Sequence, residues 1–373
     1  MSDVMLDRLL PPAEKSRLVI GFLPLCDAAP LLVAEQLGLY ERVGLEVSLQ
    51  REISWANVRD KLVSGALDAA QMLAPLPAMA TLGISGLRKT LVSSMTLSRN
   101  GNGITLNRQL VDEALDRGFT PEQPASLAAF IRQRAQADGK KPTFATVHAF
   151  SNHTVLLRKW LRSGGVDPDT DIATLVVPPS QMVDSLDSGI VDGISVGEPW
   201  NSVAVQSGVG MIAADSTDYL AGSAEKVLCT QQDWQRCHTG TLARLLVALL
   251  LACQWLGSMK NRDAAAALLA RPEYLGLDQS LMRPALGALV EAGSREQGGF
   301  ASPITFYGPG VNRPSVHECE QFILNCTEPL GAPLSTKTIK SLAQAAADPA
   351  FFDYAFERFQ QLSSEEYTGL AHH

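Results

Sequence analysis

The sequence predicts an α/β protein built as two similar lobes followed by a helical C-terminal tail. Three observations lead there. Apolar strand-like runs alternate with helical patterns from Arg17 to Thr230, and one pattern occurs twice, 124 residues apart. After Thr239 the chain reads as helix almost throughout. A length of 373 residues agrees with about two domains at roughly 150 residues each.

Taken in chain order, the first 16 residues read as a loose arm. RLVIGFLPL then forms an apolar strand, and Asp27 is placed to cap the helix carrying Leu31, Leu32, Ala34 and Leu37. Gly38 and Gly44 punctuate the chain before a short alternating strand, LEVSLQ. Further strands are expected at Leu67–Leu73, Leu91–Leu97, Thr143–Val147, Ala173–Val177, Val191–Val196, Val209–Ala213 and Lys226–Thr230, with helices between them. The tail is expected to hold helices at Leu242–Met259, Asn261–Leu269, Leu281–Glu291, Val316–Asn325, Ser335–Ala346 and Phe351–Gln361.

The repeat sets the lobes. Residues 62–75 (LVSGALDAAQMLAP) and 186–199 (LDSGIVDGISVGEP) carry Leu, Ser, Gly, an aliphatic, Asp, a small residue, a second apolar residue and Pro at equal offsets. Each block ends a helix, turns on Ser-Gly, forms a strand and starts a new helix with Pro at its first position. The expected division is 17–103 for the first part of lobe one, 104–215 for lobe two, and 216–373 for the completion of lobe one plus the tail. The chain crosses near Asn100–Thr105 and returns near Ala214–Lys226. Such lobes leave a cleft at the carboxyl ends of their strands, where helix N-termini suit an anion.

Composition narrows the partners. At 46% hydrophobic and 19% charged residues the chain is an ordinary globular protein. With 31 Lys+Arg against 39 Asp+Glu it lacks the basic surplus of a polyanion binder, although a small anion can still be held locally. The most apolar run, Leu245 to Cys253, is shorter than the ~20 residues of a spanning helix. Asp3 and Asp7 precede the first basic residue and no apolar secretory core follows. The six cysteines form no CxxC pair and read as reduced thiols, so the expected address is the cytoplasm.

Several residues could carry chemistry. His153 opens the helix NHTVLLRKWL, where its ring can donate into the cleft or serve only as a solvated, capping residue. No second His or Cys stands at metal-ligand spacing from it, and no cofactor is expected. Trp55 stands in the first turn of SWANVRDKLVSG, with Ser54 as N-cap, and is either a core residue or a cleft residue. Lys226, within the apolar strand EKVLCT, must turn its ammonium to water or to an anion. The segment NGNGI at 100–104 offers a hinge or a plain turn. GISVG at 193–197 matches a nucleophile-elbow pattern literally, but the repeat aligns Ser195 with Gln71 inside a strand, the wrong place for one. The apolar segment 241–256 reads as a buried core helix.

The segments GFLPLCDAAPLLVAEQLGLYERVGLEV, SWANVRDKLVSGALDAAQML, NGNGITL, HTVLLRKWLRSGGVDPD, VVPPSQMVDSLDSGIVDGISVGEPWN and EKVLCT together resemble the nitrate-binding receptors of periplasmic-binding-protein type, a family that includes bicarbonate receptors. The resemblance implies a type II periplasmic-binding-protein-like fold that closes around a small planar oxyanion. It also implies that Trp55 packs against the anion while His153 and Lys226 donate charge-assisted hydrogen bonds to it. The family's glutamine in N-G-Q-G falls on Asn102, one methylene shorter, and the loop before the histidine is Ala149-Phe150-Ser151-Asn152 instead of Pro-Gly-Gly-Thr. Relatives that bind bicarbonate with calcium carry an acid at the position of Lys226, so a lysine favours bare nitrate or nitrite.

The expected cytoplasmic address directs the resemblance toward soluble members of the family. Those sense nitrate and nitrite and hold an RNA-binding transcription antiterminator of the ANTAR type until the anion binds. Lobe closure is the expected release step, and RNA contact belongs to that partner. The competing expectations are an exported receptor of an ABC transporter and a pyrimidine synthase on the same fold. The latter uses a cysteine-rich iron motif that this sequence lacks.

Overall fold

The computed structural model describes residues 9–84, 88–137, 141–287, 304–331 and 333–370, the last eight by backbone alone. Lobe one begins with β1 (Arg17–Phe22), α1 (Ala29–Gln36), α2 (Leu39–Arg42), β2 (Glu46–Arg51), α3 (Trp55–Ser64), β3 (Ala69–Leu73), α4 (Leu76–Leu82) and β4 (Leu91–Arg99). The chain then enters lobe two with β5 (Asn102–Asn107), α5 (Arg108–Asp116), α6 (Pro124–Ala137), β6 (Thr143–Thr146), α7 (Asn152–Ser163) and β7 (Ala173–Val176). α8 (Met182–Asp187), β8 (Gly193–Gly197), α9 (Trp200–Gln206), β9 (Gly210–Asp215) and α10 (Ser216–Tyr219) complete that lobe. β10 (Ala224–Gln231) returns to lobe one. There follow α11 (Gln232–Cys237), α12 (Thr239–Gly257), α13 (Arg262–Leu269), α14 (Gln279–Ala285), α15 (Val316–Thr327), α16 (Thr336–Ala346) and α17 (Pro349–Leu370).

The two five-stranded sheets have matching orders, β2-β1-β3-β10-β4 and β7-β6-β8-β5-β9. In each sheet a single strand runs against its neighbours: β10 is antiparallel to β3 and β4, and β5 is antiparallel to β8 and β9. Those reversed strands are the ones that follow the crossovers, so each lobe receives its fourth strand from a chain segment arriving from the other lobe. The repeat holds at atomic detail. Asp68 Oδ2 accepts from the backbone N–H of Val19, and Asp192 Oδ2 accepts from that of Thr143. Each carboxylate thereby satisfies a backbone donor on the strand beside its own.

Several details depart from the sequence reading. Residues 9–16 are tied down: Leu10 is buried, and the Arg244 guanidinium donates to the carbonyls of Pro11 and Val43. Glu14 accepts from the N–H groups of Gly240 and Thr241 at the start of α12, where the helix dipole favours an acid. Pro75 and Pro199 occupy N-cap positions, one residue before the first turn. The crossover is narrower than Asn100–Thr105: Asn100 and Gly101 make the turn in left-handed backbone, with φ of 61° and 87°, and Asn102 already begins β5.

α12 has 19 residues, long enough to cross a membrane by length and composition, against the expectation from its shorter uninterrupted run. Here it forms the centre of the lobe-one core, packed against α1, α2 and α17. Each fully buried leucine in it contributes about 1.5–3 kcal/mol. Among tail helices, the expected Leu281–Glu291 is Gln279–Ala285, and positions 288–291 lie outside the described residues.

Candidate functional site

The four residues singled out in the sequence meet between the lobes, and all are buried: Trp55, His153 and Lys226 at 0% exposure and Asn102 at 2%. Ser54 caps α3 by accepting from Asn57 N–H, which sets Trp55 at the first helical position. Ser151 caps α7 by accepting from Thr154 N–H and places His153 in that helix's first turn, above the apolar face of Leu156, Leu157, Trp160 and Leu161. Asn102 is the first residue of β5.

Lys226 is delivered by an irregular stretch of strand. The β10–β4 register shifts between Ala224 and Lys226 and again between Lys226 and Val227. In a regular strand, Glu225 and Lys226 would face opposite sides of the sheet. The bulge brings both inward, as bulges next to functional sites commonly do.

The Lys226 ammonium turns to two carboxylates. Its Nζ lies 2.7 Å from Asp27 Oδ2 and 2.7 Å from Glu225 Oε1, and 5.3 Å from the centroid of the Trp55 ring. Asp27 is therefore no helix cap, contrary to the sequence expectation. Its Oδ1 accepts from Gln71 Nε2 at 2.6 Å, and Gln71 Oε1 in turn accepts from Leu23 N–H. His153 Nε2 stands 3.3 Å from Glu225 Oε1 but off hydrogen-bond alignment, so neither ring nitrogen has a partner. Trp55 Nε1 and Asn102 Oδ1 are likewise buried without one. Buried polar atoms are seldom left so.

Burial decides the protonation states. It opposes charge on Lys226, but Asp27 and Glu225 outweigh it and hold the ammonium above its usual range. Burial also opposes ionisation of Glu225, and there the Lys226 ammonium wins and keeps the carboxyl low. Asp27 goes the other way, raised by burial despite Lys226. Burial lowers His153 to about 3, so the ring is a neutral donor and not the charge-assisted one expected from the resemblance.

Gly197, at the end of β8, marks the middle of the cluster. A methyl group built on it would lie 3.5 Å from Asn102 Oδ1, 3.6 Å from His153 Cε1 and 3.7 Å from Asp27 Oδ2. Ser195, two residues earlier, is buried within β8 and donates to the carbonyl of His153, so it supports α7 and is not poised as a nucleophile. Among the described residues no group of three or more His, Cys, Asp or Glu side chains is disposed to hold a metal ion.

Sequence reasoning did not find Asp27 as an ion partner, nor Glu225, Gln71 and Gly197. Asp27 looked like a cap because an acid before a helix commonly is one. Glu225 adjoins Lys226 in sequence, and only the bulge makes them neighbours in space.

Residues 11–270 match the NMT1-like family. The chain belongs to that family. Among its relatives is the nitrate import ATP-binding protein NrtC of Synechocystis sp. PCC 6803, 38% identical over 280 residues, which are 74% of this chain and 40% of NrtC. The bicarbonate transport ATP-binding protein CmpC of Synechococcus elongatus is 38% identical over 305 residues, 81% of this chain and 43% of CmpC. The chain thus spans about two-fifths of these relatives' length, and it contains no G-x-x-x-x-G-K-[S/T] segment to cradle nucleotide phosphates. The crystal structure of the periplasmic nitrate-binding protein NrtA from Synechocystis PCC 6803 superposes with a TM-score of 0.82 at 26% identity, covering 94% of this chain and 90% of that one. The two-lobed periplasmic-binding-protein-like architecture of this NMT1-like chain, with its helical C-terminal region, is the same.

Proposed function

We propose that this chain binds nitrate or nitrite between its lobes and acts as a cytoplasmic sensor, releasing an RNA-binding antiterminator of the ANTAR type when the anion is held. The observation that carries the anion is the buried cluster between the lobes, where Asn102 and His153 meet Asp27 in front of Gly197 and Lys226 joins Asp27 to Trp55. Trp55 Nε1 and the N–H of neutral His153 are buried donors without protein acceptors, and a planar oxyanion supplies acceptors. The nitrate relatives and the NrtA structure support that ligand class. Lys226, where the resemblance puts an acid in calcium-and-bicarbonate receptors, favours a bare monoanion over that pair.

Release is supported by the way the tail grips both lobes. Glu318 of α15 accepts from Ala224 N–H and pairs with Arg99, so it holds the return strand and the end of β4 together. Val155 of α7 packs with Ile323, Leu342 and Met79 in one cluster, and Arg162 pairs with Glu328. Lobe rotation around the anion therefore moves tail surfaces, and a partner seated on the tail senses it. A second reading, an exported receptor feeding a transporter, is favoured by the likeness to NrtA along nearly the whole chain.

Titration calorimetry with nitrate, nitrite, sulfate, and bicarbonate plus calcium tests the ligand. Heat with nitrate or nitrite alone is expected; a response only to bicarbonate with calcium would overturn it. Co-purification of an ANTAR-type antiterminator with this chain, lost on adding nitrate, tests the sensor. Indifference of that complex to nitrate, or no complex at all, would leave the exported receptor as the better account.

A further inference from the structure

We infer that the anion is bound together with one proton, taken up from solvent by the Asp27 carboxylate. The inference rests on the anion-binding reading above and deepens it. It comes from counting charge in a sealed space. Lys226 supplies one positive charge, already shared between Asp27 and Glu225 at 2.7 Å each, and His153 is neutral. The cluster therefore holds one net negative charge before any ligand arrives, with every member at most 2% exposed. A monoanion would make that two, and buried charge is tolerated only when it is compensated.

Geometry selects the group that responds. The position in front of Gly197 lies 3.7 Å from Asp27 Oδ2, so an oxyanion seated there faces that carboxylate directly. Two oxygens with their lone pairs opposed repel; one proton between them makes a charge-assisted hydrogen bond. As the anion draws Lys226 Nζ toward itself, Asp27 loses the partner that kept it ionised, while Gln71 Nε2 continues to hold Oδ1. The step is a simple addition: a solvent proton joins Asp27 Oδ2, and the O–H then donates to the ligand.

Among the described residues, the surroundings of Asp27 offer no other compensating cation. From β10 it faces Lys226 and Glu225, and from β3 the neutral Gln71. Beside it in sequence, the Cys26 thiol is held well above its usual range by burial and by Glu198 and Asp27. Glu198, after β8, is itself pushed up to about 8 by burial and is neutral near pH 7. Arg262 of α13 reaches toward Cys26, but its guanidinium is spent on the carbonyls of Leu286 and Ile304. From α7 comes only the neutral His153 ring. Among the described residues no group of three or more His, Cys, Asp or Glu side chains is disposed to hold a metal cation there.

The test begins with the unaltered chain. Nitrate is titrated into the full chain by calorimetry at one near-neutral pH in two buffers of different ionisation enthalpy, and the affinity is then followed with rising pH. About one proton taken up per nitrate is expected, with affinity falling about tenfold per pH unit on the alkaline side. Asp27→Asn, which keeps the shape and removes the titration, should bind nitrate with no proton uptake and an affinity independent of pH. Nitrate binding with no buffer dependence would overturn the inference while leaving the anion site standing. So would an affinity that EDTA abolishes and calcium restores, or uptake that persists in Asp27→Asn. No binding of nitrate or nitrite by equilibrium dialysis would remove the anion-binding reading itself, and this inference with it.

Discussion

The two lobes are topological copies, yet they furnish the site with opposite chemistry. Lobe one supplies the charge: Asp27 before α1, and Glu225 and Lys226 on the reversed strand β10. Lobe two supplies neutral groups from equivalent places: His153 at the start of α7, Asn102 at the head of the reversed strand β5, and the bare backbone of Gly197. Even its acid, Glu198, is held neutral near pH 7 by burial. The difference separates two tasks. On the proposed reading, one lobe sets which net charge the site accepts, and the other sets what shape and hydrogen-bonding pattern it can enclose.

Reversing the charge of the charged lobe is the strongest way to break this comparison. Lys226→Glu would put a third carboxylate beside Asp27 and Glu225, and like charges in contact cost several kcal/mol. Nitrate affinity is expected to fall by on the order of a thousandfold or more, with the fold retained at low pH where the carboxylates are neutral. Calorimetry paired with circular dichroism checks both, and unaltered affinity would remove Lys226 from the site.

The next effect probes shape in the neutral lobe. Gly197 is not in left-handed backbone, and a methyl there would meet its neighbours at 3.5 to 3.7 Å, ordinary contact distances. Gly197→Ala should therefore fold with a melting temperature within a few degrees of the parent. The methyl nevertheless occupies the position where Asn102, His153 and Asp27 converge. Overfilling a close-packed space costs about 1–3 kcal/mol, so the anion should bind roughly ten- to a hundredfold more weakly. Equal affinity would place the ligand elsewhere in the cleft.

These two positions also show what was legible in the sequence and what was not. The lobes were, because Leu62–Pro75 and Leu186–Pro199 repeat at an offset that lands β3 on β8 residue for residue. The buried face of α7 and the cap at Ser54 followed from periodicity and local hydrogen bonding. Local sequence marked Trp55, His153 and Lys226 as candidates but left each with a plain structural alternative, and only the resemblance of short motifs joined them, with Asn102, in one expected site, since nothing local distinguishes a cleft tryptophan from a core one. The counter-charges were hidden for physical reasons. Asp27 has the local grammar of a cap, and its partner lies 199 residues away in sequence across a β-bulge that no hydrophobic pattern announces. Residues 9–16 looked loose because they lack apolar periodicity, whereas Arg244 and the start of α12 bind them through polar contacts.

His153→Gln sharpens the comparison at the neutral lobe. A side-chain amide keeps a donor at nearly the same reach, so a loss of only about tenfold is expected, the value of one neutral hydrogen bond. Because burial keeps the ring neutral down to about 3, the histidine should contribute no step of its own to the pH dependence of binding between pH 5 and 8. A titration step near 6.5 that vanishes in His153→Gln would show the ring charging inside the site and would end the distinction between a charged lobe and a neutral one.

The smallest effect is on stability, and its sign distinguishes the two neutral groups of lobe two. His153 titrates near 6.5 when unfolded and near 3 when folded. Its contribution is therefore full above 6.5 and is lost as pH falls toward 3, because the unfolded chain binds a proton the folded one refuses. Glu198 runs the other way, from about 4.5 unfolded to about 8 folded. Its contribution is full below 4.5 and is lost as pH rises through 8. Melting temperature should thus peak between the two flanks, near pH 6. Glu198→Gln, an isostere of the neutral acid whose acceptor for Ser202 N–H is kept, should change little at pH 4, raise the melting temperature at pH 6 and flatten the alkaline flank. The acid flank should remain, since it belongs to His153 and to His148, whose ring burial and Arg59 hold down at about 4. An alkaline flank unchanged in Glu198→Gln would mean that the carboxyl is ionised in the folded protein and that lobe two carries charge after all.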